Sequence, residues 1–533
     1  MSEVVVYRRR TVVSLVMMLF ALALGAGGYL LTSLNQNGTF PADWLMSAGP
    51  LQFGGPWYLG LAAWFALGLA CWGVTAWRLP YADPLILPTA FLLAGLGISM
   101  IYRLDQADGK RSAELQMLWL FLAVAAFIAL VVWLRDHRRL QRYTYLWFLA
   151  GFLLLLAPLV PGLGKENHGA RIWIEVGPFS FQPAEIARIV LSIAFAAYLV
   201  EKKDVLALAG RRFLGIDFPR PRDLGPILIA WGFSLVILVF QKDLGTTLLF
   251  FGLFVAMLYV ATERPSWAIL GTLMILGLGV LGYNAFGHVQ TRFESWLNPF
   301  TDYDRNGQVI NAQFGFAWGG LFGSGWGDGR PYLTPLAKND FIGAAIGEEL
   351  GLFGLCAMVL LFGVIVARVL RAALGSAEGF GKLLATGLAF VFALQVFVIL
   401  GGITRLLPLT GLTTPFVSQG GSSLVSNFLL LGLMLTVTHQ VRRPHVEHAG
   451  SGEYVSLSAE ATQALPVVVG ARTGATAAGA AAEVPVTPDE APLPAGPAAE
   501  PRPDPVDFGG EAPEPLPSHA EPPAPTEDGE EPR

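Results

Sequence analysis

Residues 115–134 read LQMLWLFLAVAAFIALVVWL, twenty positions without a charged side chain. A hydrocarbon core of about 30 Å is crossed by about 20 residues of α-helix, so the stretch has the length and composition of one membrane span. Four arginines follow it closely: Arg135, Arg138, Arg139 and Arg142. Working outward, similar apolar runs precede it at Thr11–Leu31, Trp57–Trp77 and Leu85–Ile101. Others follow at Tyr145–Val160, Ala184–Val200, Ile227–Phe240, Leu244–Ala261, Trp267–Phe286, Phe341–Val366, Leu383–Leu400 and Leu424–Thr438. The expected fold is an all-α polytopic membrane protein of about twelve transmembrane helices. A membrane β-barrel would show alternating segments of about ten residues, which are absent. The first run is too long for a cleaved signal peptide, and no small-residue cleavage site ends it.

Composition agrees. The chain has 533 residues, 53% apolar and 14% charged, which excludes a soluble enzyme, a fibre or a disulfide-rich secreted domain. The two cysteines, Cys71 and Cys356, lie in apolar runs and offer neither a disulfide framework nor a thiolate metal site. The seven histidines show no zinc-ligand spacing. From Ser451 onward there are 15 acidic and 3 basic residues, a net charge of −12 in a chain that totals −5, so the part before it is basic by about 7. That basic charge sits in short loops between spans, which argues against nucleic acid as a partner. Rich in Pro, Ala, Gly and Glu, the segment 444–533 cannot bury enough apolar surface to offset its ordering entropy and is expected to be a disordered, acidic cytoplasmic tail.

The arginines and lysines also orient the chain. Clusters precede the first span and follow the fourth, sixth, tenth and twelfth, and with twelve helices all fall on one side. Both termini are then cytoplasmic, and the segments Gly162–Pro183, His288–Asn339 and Thr404–Gly420 lie outside.

Polar residues near the membrane are where chemistry is expected. Glu185 and Arg188, three apart, share a helix face and can pair; a structural ion pair is an equal alternative. Asp243, in QKDLGTT, is either functional or the N-cap of the next helix. In NDFIGAAIGEELGLFG (339–354), Asn339 or Asp340 can cap the helix. Gly343, Gly347 and Gly351 form a small-residue ridge at spacing four. Glu348 and Glu349 lie two turns in and require a partner or water. Asp340 stands at the outer mouth of this polar path, where a positive helix end favours its ionised form and makes it available as a general base. The preceding loop of about fifty residues carries Phe314, Phe316, Trp296, Trp318, Trp326 and the run GGLFGSGWGDGRP, a composition suited to a folded surface at the membrane interface. Cations on the outer side (Lys165, Arg171, Lys242, Arg292, Arg330, Lys338 and Arg405) run against the positive-inside bias and suggest an anionic ligand; plain solubility of long loops is the alternative.

At this point the chain resembles the SEDS family (shape, elongation, division and sporulation), the family of RodA- and FtsW-type membrane proteins. The resemblance covers about Leu85 to Arg443. It rests on GARIWIEVGPFSFQPAEIARI, QKDLGTT, WLNPF with its following Gly-rich stretch, NDFIGAAIGEELGLFG and LPLTGLTTPFVSQGGSSLVSN, in that order. The family pattern often has Thr at the position of Asn339, Lys at Arg188 and Tyr at Gln419. Family members usually have ten helices, so the resemblance divides the chain into an extra two-helix segment (1–84), a catalytic membrane core (85–443) with a large outer loop at 288–339, and the tail (444–533).

The resemblance implies a peptidoglycan glycosyltransferase of the bacterial cell membrane. Such an enzyme polymerises the lipid-linked disaccharide-peptide lipid II at the outer face, in cell elongation or division and in shaping the cell. Asp340 falls on the family's catalytic acid. The candidate substrate-binding residues are Arg171, Glu185, Arg188, Lys242, Asp243, Gln308, Lys338 and Ser422. A divalent cation, Mg²⁺ or Mn²⁺, suits carboxylates facing a pyrophosphate. A class B penicillin-binding protein, a transpeptidase, is the implied partner, along with other proteins of the elongation or division complex. Two other readings stay open on the residues alone: a transporter or lipid II flippase, and a non-catalytic scaffold of a cell-wall complex.

Overall fold

The structure is a computed structural model that describes residues 11–37, 43–48, 51–134, 136–167, 170–176, 179–206, 209–213, 216–219 and 225–443, with two short strand segments at 448–449 and 453–454. Residues 1–467 form one compact unit; a second, Val468–Arg533, lies outside the described residues, as does nearly all of the expected tail.

A helix stands at each of the twelve expected spans. They are α1 (Thr11–Asn37), α2 (Trp57–Arg78), α3 (Ile86–Asp108), α4 (Ser112–Trp133), α6 (Thr144–Leu156), α7 (Pro183–Leu206), α8 (Gly225–Gln241), α9 (Leu244–Thr262), α10 (Pro265–Ala285), α13 (Ile342–Leu374), α14 (Gly379–Ile403) and α15 (Gly421–Arg442). A four-residue turn, α5 (Arg138–Gln141), follows α4, and α11 (Gly287–Leu297) and α12 (Tyr303–Gly319) lie in the long loop. Among the described residues ten helices are long and apolar enough to cross a membrane; α6 and α8, at 13 and 17 residues, fall short of that length. Small antiparallel sheets occupy connections, the largest pairing 164–167, 170–176 and 179–181 in sequence order.

Burial separates the inner helices from the rim. In the apolar windows of α3 and α15, 83% of residues are buried, against 28% for α1, α2 and α10. On the rim, large apolar side chains such as Leu273, Leu276 and Val280 face outward, as they would toward lipid. Phe428 of α15 packs against Phe91 of α3, Phe127 of α4 and Phe416 of the 404–420 segment, with ring centres 5.5 to 6.4 Å apart. That aromatic core holds the 404–420 segment, which lines the site, onto the bundle.

The structure corrects two sequence expectations about α13. Neither Asn339 nor Asp340 caps it: Phe341 is the capping residue and no side chain bonds the helix end. Nor do its glycines form one ridge against one helix. Gly343 faces Ile403 and Leu400 of α14, Gly347 faces Phe316 of α12, and Gly351 interrupts the helix at φ +67°. The interruption is paired by the Gly-rich loop. Leu352 and Phe353 donate backbone hydrogen bonds to the carbonyls of Gly320 and Leu321, while Ser324 and Gly325 donate to those of Glu348 and Glu349, all at 3.0 to 3.2 Å. A broken helix at membrane depth requires such partners, since lipid offers none. The glycines of the loop are explained by this approach: a Cβ on Gly323 would sit 2.1 Å from the Glu349 carbonyl oxygen.

Candidate active site

The long loop folds as two helices and a return. Asp302 caps α12 by accepting from Arg305 N at 3.1 Å, and Asn306 ties the helix back to the Pro299 carbonyl at 2.8 Å. Against this loop lies the 404–411 segment. Arg292 of α11 donates to the Leu409 carbonyl (2.8 Å) and Trp296 Nε1 to the Arg405 carbonyl (2.9 Å), while Arg405 donates back to the Trp296 carbonyl (3.2 Å). Between these elements is a cavity of about 600 Å³. Asp340, Arg292, Arg305, Arg405, Trp296 and Gln308 are among its lining residues.

Asp340 and Arg292 both lie beside Gly411 at one edge of that cavity. Gly411, at φ +75°, separates them: a Cβ there would lie 3.8 Å from both terminal nitrogens of Arg292 and from Asp340 Oδ2. Any side chain would occupy the space in front of the acid. Burial pushes the Asp340 carboxyl up to about 6; the charge of Asp243 adds to the rise and Arg292 opposes it. The helix-end argument for a fully ionised Asp340 thus yields to desolvation, which raises the acid toward neutral pH.

The other expected residues divide into groups. Gln308 lines the cavity with Asp340. Asp243 is the N-cap of α9, accepting from Thr246 N at 2.9 Å and Thr246 Oγ1 at 2.6 Å, yet it also acts electrostatically on Asp340. Its neighbour Lys242 is exposed, with φ +56°. Glu185 and Arg188 pair at 2.8 Å inside the bundle and are both buried. Arg188 also bonds Ser426 and Asn427 of α15, each at 3.0 Å, and Gln395 of α14. Through Thr413, whose hydroxyl lies 3.4 Å from Glu185 Oε1 and 2.8 Å from Ser423 Oγ, the network reaches the segment carrying Gly411. Ser422 is buried in the first turn of α15 beside it. Arg171 lies exposed on the strand 170–176, and Lys338 binds Asp108 (2.9 Å to each oxygen) and Asp105 at the α3–α4 turn, away from the cavity.

The partner required by Glu349 is Arg103 of α3, at 2.9 Å, and both are buried. Glu349 also accepts from Gly327 N (2.9 Å), and Glu348 from Arg330 N (2.6 Å). Both acids therefore anchor the Gly-rich loop. Arg292 and Trp296 were legible only as an outer cation and a loop aromatic; their four-residue spacing on one helical face was the unused signal. Among the described residues no three His, Cys, Asp or Glu side chains converge as metal ligands. Of Asp340 and Asp243, the latter has both carboxylate oxygens engaged by Thr246, which leaves Asp340 as the free hard oxygen donor for Mg²⁺ or Mn²⁺.

The cell cycle protein family FtsW/RodA/SpoVE matches residues 84–443. The peptidoglycan glycosyltransferase RodA of Mycobacterium tuberculosis is 46% identical over 417 residues, covering 76% of this chain and 88% of the relative. Stage V sporulation protein E of Bacillus subtilis is 33% identical over 375 residues, covering 68% and 98%. A solved chain from a study of how a peptidoglycan synthase complex coordinates polymerisation and crosslinking superimposes with a TM-score of 0.52 at 27% identity, covering 68% of this chain and 98% of that one.

Proposed function

We propose, for a chain that belongs to the FtsW/RodA/SpoVE family and is a membrane-embedded peptidoglycan glycosyltransferase, that the cavity beside Asp340 is where glycan strands are extended from lipid II. The observation that carries this reading is a raised carboxyl that feels the charge of Arg292 on the wall of a cavity large enough for sugar rings. In the reaction, a sugar hydroxyl of one lipid II attacks the anomeric carbon of another. A carbon–oxygen bond forms to that carbon as the bond to the lipid pyrophosphate breaks. Asp340, ionised, takes the hydroxyl proton. A pKa near 6 leaves most of it ionised at neutral pH while keeping it basic enough to accept that proton. The negative charge leaving with the pyrophosphate is met by Arg292, Arg305 and Arg405 around the same cavity. A divalent cation bound together with the pyrophosphate would add further charge compensation for phosphate.

The site end of the bundle faces outward in this reading and both termini lie in the cytoplasm, as the positive-inside clusters favour. The higher identity to RodA relatives supports a role in elongation. Crosslinking falls to a partner transpeptidase of the class B penicillin-binding type, a reading supported by the crosslinking complex in which the similar solved chain was studied.

The test is purified protein given labelled lipid II. Asp340→Asn keeps the shape of the side chain and, with no cap bond to lose, should fold normally. Turnover should fall by roughly two to four orders of magnitude. Asp340→Glu should also be poor, because one methylene moves the carboxylate by about 1 Å. Near-normal polymerisation by the Asn variant would remove Asp340 from the chemistry.

A further inference from the structure

We propose that α1, which precedes the family-matched residues, is a positioning element for the loop that ends at Asp340, acting through Thr32, Asn35 and Trp326. The proposal rests on the active-site reading above.

The C-terminal turns of α1 grip the Gly-rich loop at one place. Trp326 Nε1 donates to Thr32 Oγ1 at 2.8 Å and to the Gly28 carbonyl at 3.2 Å, and Thr32 is fully buried. Asn35 Nδ2 donates to the Trp326 carbonyl at 2.7 Å and to Asp328 Oδ1 at 3.2 Å. The Asn35 amide lies close over the loop backbone: a Cβ on Gly327, itself at φ +92°, would lie 2.7 Å from Asn35 Nδ2. With its amide turned to satisfy both of its atoms, Gln36 accepts from Arg103 Nη1.

α1 is in turn fixed to α3. Ser99 Oγ donates to the Gly25 carbonyl at 3.1 Å, and the rings of Tyr29 and Tyr102 are 4.4 Å apart. From Trp326 the chain runs along α3 to the acid. Arg103 donates to the carbonyls of Gly327 (2.9 Å) and Gly329 (2.8 Å). Lys338 binds Asp108, and Ser418 Oγ donates to the Asn339 carbonyl at 2.6 Å, one residue before Asp340. The backbone ties on either side, at Gly320–Gly325 and from Gly327 onward, are made by the core; the ones at Trp326 itself are made by α1. Removing them would leave the indole N–H and the Trp326 carbonyl without those partners, a penalty the loop escapes by shifting. A shift of about 1 Å at a catalytic group can cost roughly a hundredfold in rate.

The test uses the full chain and three variants. Trp326→Phe removes the indole donor. Asn35→Asp turns the amide donor into a carboxylate facing Asp328. Asn35→Asp combined with Asp328→Asn restores the 35–328 pair in reverse and relieves the repulsion, while the Trp326 carbonyl still lacks its donor. In the lipid II polymerisation assay the first two should lose kcat by roughly ten- to a hundredfold with KM within about twofold, and the double variant, relieved of the Asp–Asp repulsion, should regain part of it. Hydrogen–deuterium exchange should quicken across 323–340 in the two single variants and not in α9 or α15. Unchanged kcat together with unchanged exchange in both single variants overturns the proposal, as does a double variant no better than Asn35→Asp. If the wild-type chain makes no glycan, the active-site reading falls, and exchange alone then decides: faster exchange across 323–340 supports the strut and unchanged exchange refutes it.

Discussion

Asp340 sits between opposing influences: burial and Asp243 push its pKa up, and Arg292 pulls it down. A base with a pKa of about 6 works above that pH and is lost as pH falls through it. Glycan synthesis by the purified enzyme should therefore fall about tenfold per pH unit below 6. Removing Arg292 takes away the one influence holding the value down, so Arg292→Gln should move that acid limb to higher pH. A limb that stays in place, measured as kcat against pH, would mean that Arg292 does not act on the group being titrated. The position of Asp340 in NDFIGAAIGEELG was readable from the sequence, and so was the pairing of Glu185 with Arg188. Its pKa was not, because helix-end charge and desolvation have opposite signs and only packing says which prevails. Arg292 escaped for a related reason: nothing in a string of loop residues tells that an arginine 48 positions earlier lies beside the same glycine as Asp340.

At the scale of elements, spans were the most legible feature, because a run of apolar residues must become a helix where no water can satisfy the backbone. The break in α13 was hidden by the same logic. A glycine at spacing four from two others looks like a packing ridge, and only the facing loop shows that Gly351 adopts φ +67°. The Gly-rich run had been readable as a folded surface, though not as the strand-like partner of a helix interruption. Gly351→Ala should be severe. A Cβ there would lie 2.3 Å from Gly323 N and 2.5 Å from the Leu321 carbonyl oxygen, and the backbone would be left-handed at a non-glycine residue. The cost should exceed about 3 kcal/mol, read as a lowered melting temperature of the detergent-solubilised protein. Gly363→Ala, on the same helix with open space at its Cβ, is the control that should be near neutral. Equal melting temperatures for the two variants would show that the interruption tolerates a side chain.

For the whole molecule, the arrangement places all site-forming connections at one end of α13 and the Ser376–Glu378 turn at the other. Cysteines introduced at the exposed Thr301 and Ala377 should therefore react with an impermeant thiol reagent from opposite sides of the membrane, with Thr301 labelled in intact cells and Ala377 only after permeabilisation. Labelling of both in intact cells would overturn the twelve-span arrangement. The native Cys71 is buried, and Cys356 should be replaced first. The pairing of the α13 break with residues 320–325 also bears on how the protein is made. The loop that satisfies the break, and the α1 turn that holds the loop, both leave the ribosome before α13 does. When α13 enters the bilayer, the partners for its unpaired backbone groups have already been synthesised. Lesions in the Gly-rich run would then show first as a failure of insertion, with chains cleared by membrane quality control, before any loss of turnover could be measured.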